Sequence, residues 1–523
     1  MLYPSGSKPK RIAFPWFRVH TVVINDPGRL ISIHLVHSSI ILGWAGSITF
    51  YELTIHDPSD PILDPLWRQS DYVIPQMSKL GVIESFTGWS TSALEVPANI
   101  SSGYYNFEVV GILHFLLGGL LLLASFWHWV YWDLDLFYLL TTKSRTLDLI
   151  RVFGIHLTLA SMLCFGFGYS HLAGNFGPGC WTSDESAITG TVQSISPSYS
   201  ILALNPFSYG TVVAHHTIAG AVGLGIGLWH TSNRPDNFIF TLVKMFSIES
   251  VLSSSIAAVF WITSIVAASC WYGCIEQPIK LNGPTRFHWD NSFFSLAIDQ
   301  VIEDYVAQGY TVDQAYDATS LKLVLYDYVG SNPAKGGLFR SGPLIKGDGI
   351  IENWTGHPEF SIENINLSVR RIPSFFETFP VLLIDKGGSL RADIAFRRAS
   401  SRYSIEQRQV RCLVFGGIYG GSELNQAPEV KNFARKAQFG SIFTFDRQTP
   451  SSDGVFRTSI RGWYSFSHTT LFVLFFLGHL WHAARALFKH IWTGVSFSNP
   501  SSFEYGYNEK LGDDSTEAST FIV

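Results

Sequence analysis

The distribution of charged and apolar positions divides the chain into six long apolar stretches and the polar segments that connect them. None of the six contains Asp, Glu, Lys or Arg, and they cover residues 30–51, 109–132, 152–173, 209–230, 251–275 and 463–484. At about 1.5 Å per residue, each is long enough to cross a hydrocarbon core of roughly 30 Å. Backbone amides in lipid must be satisfied within the segment, so each stretch is predicted to be a helix.

This pattern predicts an all-α membrane protein with one large polar insertion. Residues 276–462 separate the fifth and sixth stretches and contain 21 Lys and Arg residues, short apolar runs and turn signals. We expect them to fold as a mixed α/β domain of their own. The predicted organisation is an N-terminal tail (1–29), five helices with their loops (30–275), the large domain (276–462), the sixth helix (463–484) and a C-terminal tail (485–523).

The charges of the short connections predict which side of the membrane each occupies. The two tails and loops 133–151 and 231–250 together carry 13 Lys and Arg residues, whereas loops 52–108 and 174–208 carry two. Short basic loops stay on the cytoplasmic side. Both termini are therefore expected in the cytoplasm or its equivalent, and the large domain on the opposite side.

Composition agrees with a membrane protein and argues against a nucleic-acid partner. Charged residues make up 15% of the chain, below the roughly 25% usual for soluble domains, while aromatic residues alone make up 15%. The net charge of −5 gives no basis for nucleic-acid binding.

Histidine is concentrated in the apolar stretches and is regularly spaced there. Twelve of the 17 histidines lie inside them, and four stretches each carry a pair 14 or 15 residues apart. A polar ring in hydrocarbon is costly, so each such histidine is a candidate functional residue. On a helix the spacing corresponds to about 21–22 Å, which places one ring near each membrane surface. The pairs are His114 with His128, His156 with His171, His215 with His230, and His468 with His482.

Three kinds of protein could use such histidines. Imidazole is a good axial ligand for a metal held in a planar macrocycle. A diheme cytochrome needs two helices with such pairs, whereas four are present here, so many singly ligated centres such as chlorophylls are favoured. An ion or proton transporter would be expected to carry acidic residues inside the stretches, and there are none. Interhelical hydrogen bonding remains the alternative for any single histidine.

Several long motifs resemble one known family, the core-antenna chlorophyll proteins of photosystem II, and in particular the larger of its two types. The motifs are FPWFRVHTVV (14–23), NDPGR (25–29), DPILDPLWRQ (60–69), YDYVGSNPAKGGLFR (326–340), FFETFP (375–380), RGW (461–463) and GHLWH (478–482). The resemblance extends from about residue 14 to about residue 513. It departs at the first dozen residues, at Ile460 and in the C-terminal tail.

The resemblance implies a fold and a set of ligands. It implies six transmembrane helices arranged as three pairs, with the large domain in the lumen between helices five and six. It also implies multiple chlorophyll a molecules whose magnesium is bound by histidine, together with β-carotene and bound lipids, with no free metal site and no catalytic residue. The implied ligands are His20, His34, His37, His114, His128, His156, His171, His215, His216, His230, His468, His479 and His482.

The resemblance also implies a location and partners. The location is the thylakoid membrane, with both termini stromal and a plastid favoured over a cyanobacterium. The partners are the photosystem II reaction-centre proteins, the smaller core antenna, small single-helix subunits, extrinsic lumenal subunits and thylakoid lipids, in a dimeric complex. The smaller antenna's Gly-Gly-Glu-Thr-Met-Arg-Phe stretch, which contacts the manganese cluster, does not occur here.

Four histidines and one basic stretch are left outside these assignments. His56, His288, His357 and His490 match no ligand position and are expected to be surface or loop residues. The basic stretch from Arg397 to Arg411 could dock an acidic extrinsic subunit, although a solvated surface is the preferred interpretation.

Overall fold

Six long helices dominate the structure, which is a computed structural model. It describes residues 16–92, 105–139, 144–145, 147–183, 190–196, 204–319, 323–356, 360–362, 365–385, 387–388, 390–394 and 434–492. The long helices are α1 (Pro27–Ile55), α2 (Phe107–Val130), α3 (Leu149–Leu172), α4 (Gly210–Ser232), α5 (Ile248–Tyr272) and α6 (Ile460–Leu487), and each is long and apolar enough to cross a membrane.

Several helices extend beyond the charge-free stretches because their terminal charges have partners. The α1 helix begins at Pro27, with the Asp26 side chain accepting from the backbone N–H of Arg29, and it continues past Glu52. The Glu52 carboxylate in turn accepts from the first backbone N–H groups of the short helix Val73–Lys79. A criterion based on charge alone therefore made α1 too short at both ends.

The long helices are packed in three pairs by small residues. In α1 and α2, Ser32 Oγ donates to the Ser125 carbonyl at 2.6 Å and Ser39 Oγ to the Gly118 carbonyl at 2.7 Å. In α3 and α4, Gly220 lies against the backbone of Phe165. Such residues let helix backbones approach closely within lipid.

The third pair, α5 with α6, is joined at both ends. Cys270 of α5 lies beside the first turn of α6, where the Arg461 guanidinium donates to the Cys270 carbonyl at 2.6 Å and to the Gly283 carbonyl at 2.7 Å. Across the described part of the chain, extensive contact between long helices occurs only within the three pairs. Between 6% and 28% of each apolar window is buried, so most of the helical surface is apolar and faces away from the protein.

The segment between α5 and α6 contains both helices and strands. The antiparallel strands β5 (Ile350–Gly356) and β10 (Ile442–Asp446) pair, and four more form an antiparallel sheet in the order β6 (Phe360–Ile362), β7 (Ile365–Arg370), β8 (Val381–Asp385) and β9 (Leu390–Ile394). The helices of this segment are Ile279–Asn282, Arg286–Asp290, Phe293–Ala307, Val312–Thr319 and Ile345–Asp348, with 3₁₀ turns at Val329–Ser331 and Pro333–Lys335.

Shorter elements complete the fold. Two hairpins are formed by β1 (Tyr138–Leu139) with β2 (Ser144–Arg145) and by β3 (Cys180–Ser183) with β4 (Gly190–Gln193). The remaining short helices are Asn237–Leu242 and Lys489–Trp492, with 3₁₀ turns at Trp16–Val23 and Asp135–Phe137.

The large segment shares its hydrophobic core with the loop that follows α1. Trp67, from that loop, is fully buried in the same hydrophobic cluster as Phe294, Val324 and Leu344. The neighbouring Arg68 is also buried and pairs with Asp348 at 2.6 Å. The large segment is therefore anchored to the end of the helices at which α1 finishes. We call this the loop end, and the opposite end, where α1 begins and α6 finishes, the terminal end.

Candidate functional site

The thirteen histidines of the candidate ligand set lie at the two ends of the helices. Eight are at the terminal end, namely His20, His34, His37, His128, His156, His230, His479 and His482. Five are at the loop end, namely His114, His171, His215, His216 and His468. His20 belongs to the 3₁₀ helix Trp16–Val23 that precedes α1, and the others belong to the long helices. Helix α5 carries none.

None of the thirteen side chains is buried inside the protein. Exposed residues are His20, His34, His37, His156 and His215, and half-buried residues are His114, His128, His171, His216, His230, His468, His479 and His482. Histidines that served only to bond one helix to another would be covered by both helices. These rings instead reach the outward faces, where a molecule bound between the helix pairs could contact them.

Three rings are oriented by their own helices. Nδ1 lies 2.7 Å from the Val110 carbonyl in His114, 2.9 Å from the Val212 carbonyl in His216 and 2.8 Å from the Tyr464 carbonyl in His468. A carbonyl can only accept, so the proton must be on Nδ1. The Nε2 lone pair is then free to bind a metal, and the ring orientation is fixed.

Two rings of α6 are oriented by the neighbouring helix instead. His479 Nδ1 lies 2.8 Å from the Ser253 carbonyl of α5. His482 Nδ1 lies 3.1 Å from the Glu249 carboxylate of the same helix. These contacts also place the proton on Nδ1 and leave Nε2 available. Sequence reasoning did not identify Glu249, although its i, i+4 spacing from Ser253 puts both residues on one face of α5.

His171 is arranged differently from the others. Its Nε2 lies 2.8 Å from the Leu80 carbonyl, so Nε2 carries the proton and is already used. The residue sits in the π-helical last turn of α3, Phe167–Leu172. Metal binding by His171 would therefore use Nδ1 or require the ring to leave Leu80.

The remaining rings have less defined surroundings. His128 Nδ1 is buried, with no hydrogen-bond partner among the described residues. His230 contacts the Phe153 ring edge-on at a centroid distance of 5.1 Å, across the α3–α4 pair. The rings of His215 and His216 are perpendicular to each other, at a centroid distance of 5.2 Å.

This donor set fits separate planar metal cofactors. Within the described ranges, His, Cys, Asp and Glu residues form no cluster of three or more that could hold a metal ion. Each imidazole is therefore a separate position, and a single imidazole suits a metal whose other in-plane ligands come from a macrocycle. The exposed apolar helix faces around the rings match the apolar periphery of such a group.

Two of the four remaining histidines are more buried than the sequence suggested. His56 is in a loop, but its side chain is only 6% exposed and Nδ1 lies 2.7 Å from Asp71 Oδ2. Burial raises the pKa of Asp71. His288 accepts a hydrogen bond from the backbone N–H of Thr285 at 2.9 Å, and burial lowers the pKa of its imidazole to about 4. His357, the His490 side chain and the basic stretch from Arg397 to Arg411 are outside the described residues.

An apolar cleft lies beside the His-free helix. It has a volume of about 630 Å³ and is bounded by the loop ends of α5 and α6 and by residues 333–338. Its walls include Trp271, Trp463 and Phe466. The cleft is open and predominantly apolar, which suits an elongated apolar molecule more than a polar substrate.

The fold and the histidines together define a multi-pass helical membrane protein that presents separate imidazoles on its apolar faces. A family model described as "Photosystem II protein" matches residues 12–513, and the chain belongs to that family of core-antenna subunits. Members are pigment-binding subunits that associate with other photosystem II subunits in the thylakoid membrane. This membership favours an antenna over the diheme cytochrome and the transporter considered above.

Proposed function

We propose that the chain is a light-harvesting core antenna of photosystem II, of the larger type known as chlorophyll-protein forty-seven. It binds chlorophyll a and β-carotene and passes excitation energy to the reaction centre, without an enzymatic step. The larger type is supported by the motifs quoted above and by the missing Gly-Gly-Glu-Thr-Met-Arg-Phe stretch of the smaller type.

The observation that carries this proposal is the availability of Nε2 in the histidines whose Nδ1 is fixed. In His114, His216, His468, His479 and His482 the partner of Nδ1 is an oxygen that can only accept, which leaves Nε2 as the ligand atom. When bound, chlorophyll supplies light absorption and excitation transfer. The protein holds each magnesium through one imidazole, fixes the ring plane and keeps water away with its apolar helix faces.

The proposed ligand set is the thirteen histidines at the two ends of the helices. His171 is included on the condition that its ring leaves Leu80 or binds through Nδ1. The apolar cleft beside α5 and α6 is a candidate position for β-carotene or a lipid chain. No separate metal site is proposed, since the magnesium arrives within the pigment.

The topology proposed from the charges puts both termini in the stroma and the segment between α5 and α6 in the lumen. The organelle is a plastid. There the large segment supports the water-oxidising side and contacts extrinsic subunits. The proposed partners within the membrane are the reaction-centre proteins, the smaller core antenna and small single-helix subunits, in a dimeric complex.

Absorption and low-temperature emission of the chain purified in detergent test the proposal. Red chlorophyll bands in the isolated chain support an antenna, sharp b-type haem bands support a cytochrome, and a colourless protein supports a transporter. His114→Leu removes one Nε2 ligand and is expected to lose or loosen one pigment. The control is His288→Gln, which replaces a histidine outside the proposed ligand set. Glutamine keeps an acceptor for the backbone N–H of Thr285. Unchanged pigment content and unchanged emission in His114→Leu would contradict the assignment of that site.

A further inference from the structure

The His-free helix α5 orients the terminal-end histidines of α6. His479 and His482 direct Nδ1 to α5, whereas His114, His216 and His468 direct it to the preceding turn of their own helices. For His479 the nearest acceptor is the backbone carbonyl of Ser253, which any residue at that position would provide, and the Ser253 hydroxyl lies 3.1 Å from the same nitrogen. For His482 it is the side chain of Glu249, so this contact depends on residue identity.

The surroundings of Glu249 hold its carboxylate in place. The side chain is 13% exposed, and the same Oε1 atom lies 3.1 Å from His482 Nδ1 and 3.2 Å from Arg485 Nε. The three residues thus form a row from α5 to the last turns of α6. Charge-assisted contacts of this kind are stronger and more directional than contacts between neutral groups.

We propose that Glu249 is a positioning residue for the cofactor bound by His482. Its carboxylate keeps the proton on Nδ1, fixes the plane of the ring and increases the electron density that Nε2 offers to the metal. Carboxylates that accept from metal-bound histidines act in this way in other proteins. The inference rests on the proposed function, because it requires a pigment at His482.

A purely structural role for Glu249 makes a different prediction. A carboxylate in the first turn of a helix is favourable because of the helix dipole, and the pair with Arg485 ties α5 to α6. Loss of the helix-dipole interaction or of the pair with Arg485 would affect folding. Neither loss would alter the spectrum of one pigment in a complex that still assembles. The spectrum therefore separates positioning from structural support.

The test compares variants in the assembled photosystem. Glu249→Gln retains an oxygen that accepts from Nδ1 but removes the charge, and Glu249→Ala removes both. His482→Leu identifies the absorption band of the pigment at that site. The matched controls are Ser254→Ala, on an exposed part of α5 next to Ser253, and Glu276→Gln, the same chemical change beyond the other end of α5, where the carboxylate contacts Cys274.

The measurements are pigment content during a detergent titration and low-temperature absorption difference spectra. Glu249→Gln is expected to retain the pigment and shift the band that His482→Leu removes. Glu249→Ala is expected to shift the same band and weaken pigment retention by about 10- to 100-fold. Both controls leave the band unchanged.

The outcomes distinguish this inference from the proposed function. If His482→Leu removes a band that both Glu249 variants leave in place, Glu249 is not a positioning residue and the antenna function stands. If the isolated wild-type chain has no chlorophyll bands, the proposed function itself fails. Reduced assembly in Glu249→Ala alone, with a normal spectrum in Glu249→Gln, assigns Glu249 a structural role and overturns the inference.

Discussion

Arg68 and Asp348 form a two-point ion pair in the core that joins the first loop to the large segment. Arg68 Nη1 and Nη2 lie 2.9 Å and 2.6 Å from the two carboxylate oxygens, and Nη2 also donates to the Gly349 carbonyl at 2.6 Å. The side chains are 1% and 2% exposed. The two residues are 280 positions apart in the sequence, so the pair closes a long loop of the chain.

Removing one partner of this pair should be strongly destabilising. Asp348→Asn leaves the guanidinium of Arg68 buried without its ion-pair partner, which typically costs about 3–5 kcal/mol. The exposed pair between Arg234 and Asp148, with side chains 60% and 41% exposed, is the control. Asp148→Asn should change stability by about 1 kcal/mol or less. Thermal unfolding of the purified complex measures both, and equal midpoints for the two variants would contradict the prediction.

Close packing of α3 against α4 requires glycine at position 220. A Cβ at this position would collide with the backbone of Phe165, whereas at Gly225 of the same helix it would meet nothing within 4 Å. Gly220→Ala should therefore cost about 1–3 kcal/mol through overpacking. Gly225→Ala should be neutral. Accumulation of assembled complex in the two variants provides the comparison, and a defect in Gly225→Ala alone would exclude this explanation.

Arg461 links the start of α6 to the end of α5, and charge alone will not replace it. Its guanidinium donates to the carbonyls of Cys270, Gln277 and Gly283, a geometry that requires several donors in one plane. Arg461→Lys keeps the charge but leaves at least one of these buried acceptors unpaired, at a cost of about 1–3 kcal/mol. Arg234→Lys, where the side chain is 60% exposed, is the control. Protease sensitivity of the large segment should rise in Arg461→Lys and remain normal in the control.

His288 makes the large segment sensitive to acid. The pKa of its imidazole is lowered from 6.5 to about 4, mainly by burial and then by the charge of Arg461. The unfolded chain takes up the proton first as the pH falls. The contribution of neutral His288 to the free energy of unfolding is therefore fully present above about pH 6.5. It is lost progressively towards pH 4, by roughly 1–2 kcal/mol at pH 5.

His288→Gln should reduce this pH dependence, because glutamine supplies an acceptor for the Thr285 N–H but does not titrate. Melting midpoints measured at pH 7 and pH 5 for both proteins test the point. A variant with the same loss of stability at pH 5 as the wild type would show that other groups control the acid response.

The sequence predicted the parts of this structure that depend on short-range patterns. Absence of charge located all six helices, but it missed ends such as Glu52 and Arg461, whose charges are satisfied by residues distant in the sequence. Spacing alone also located the histidine pairs. The hydrogen bonds of His171 to Leu80 and of His482 to Glu249 join residues 91 and 233 positions apart, and no local pattern encodes them.

The dependence of His479 and His482 on α5 has a consequence for the timing of synthesis. Residues 273–459 separate α5 from α6, and a ribosome making about 5–20 residues per second needs roughly 10–40 s to translate them. During this interval Ser253 and Glu249 are already in the membrane, while the rings that they orient do not yet exist. The pigment binding proposed at His479 and His482 can therefore be completed only when the last helix arrives, and a truncated chain would lack both proposed sites.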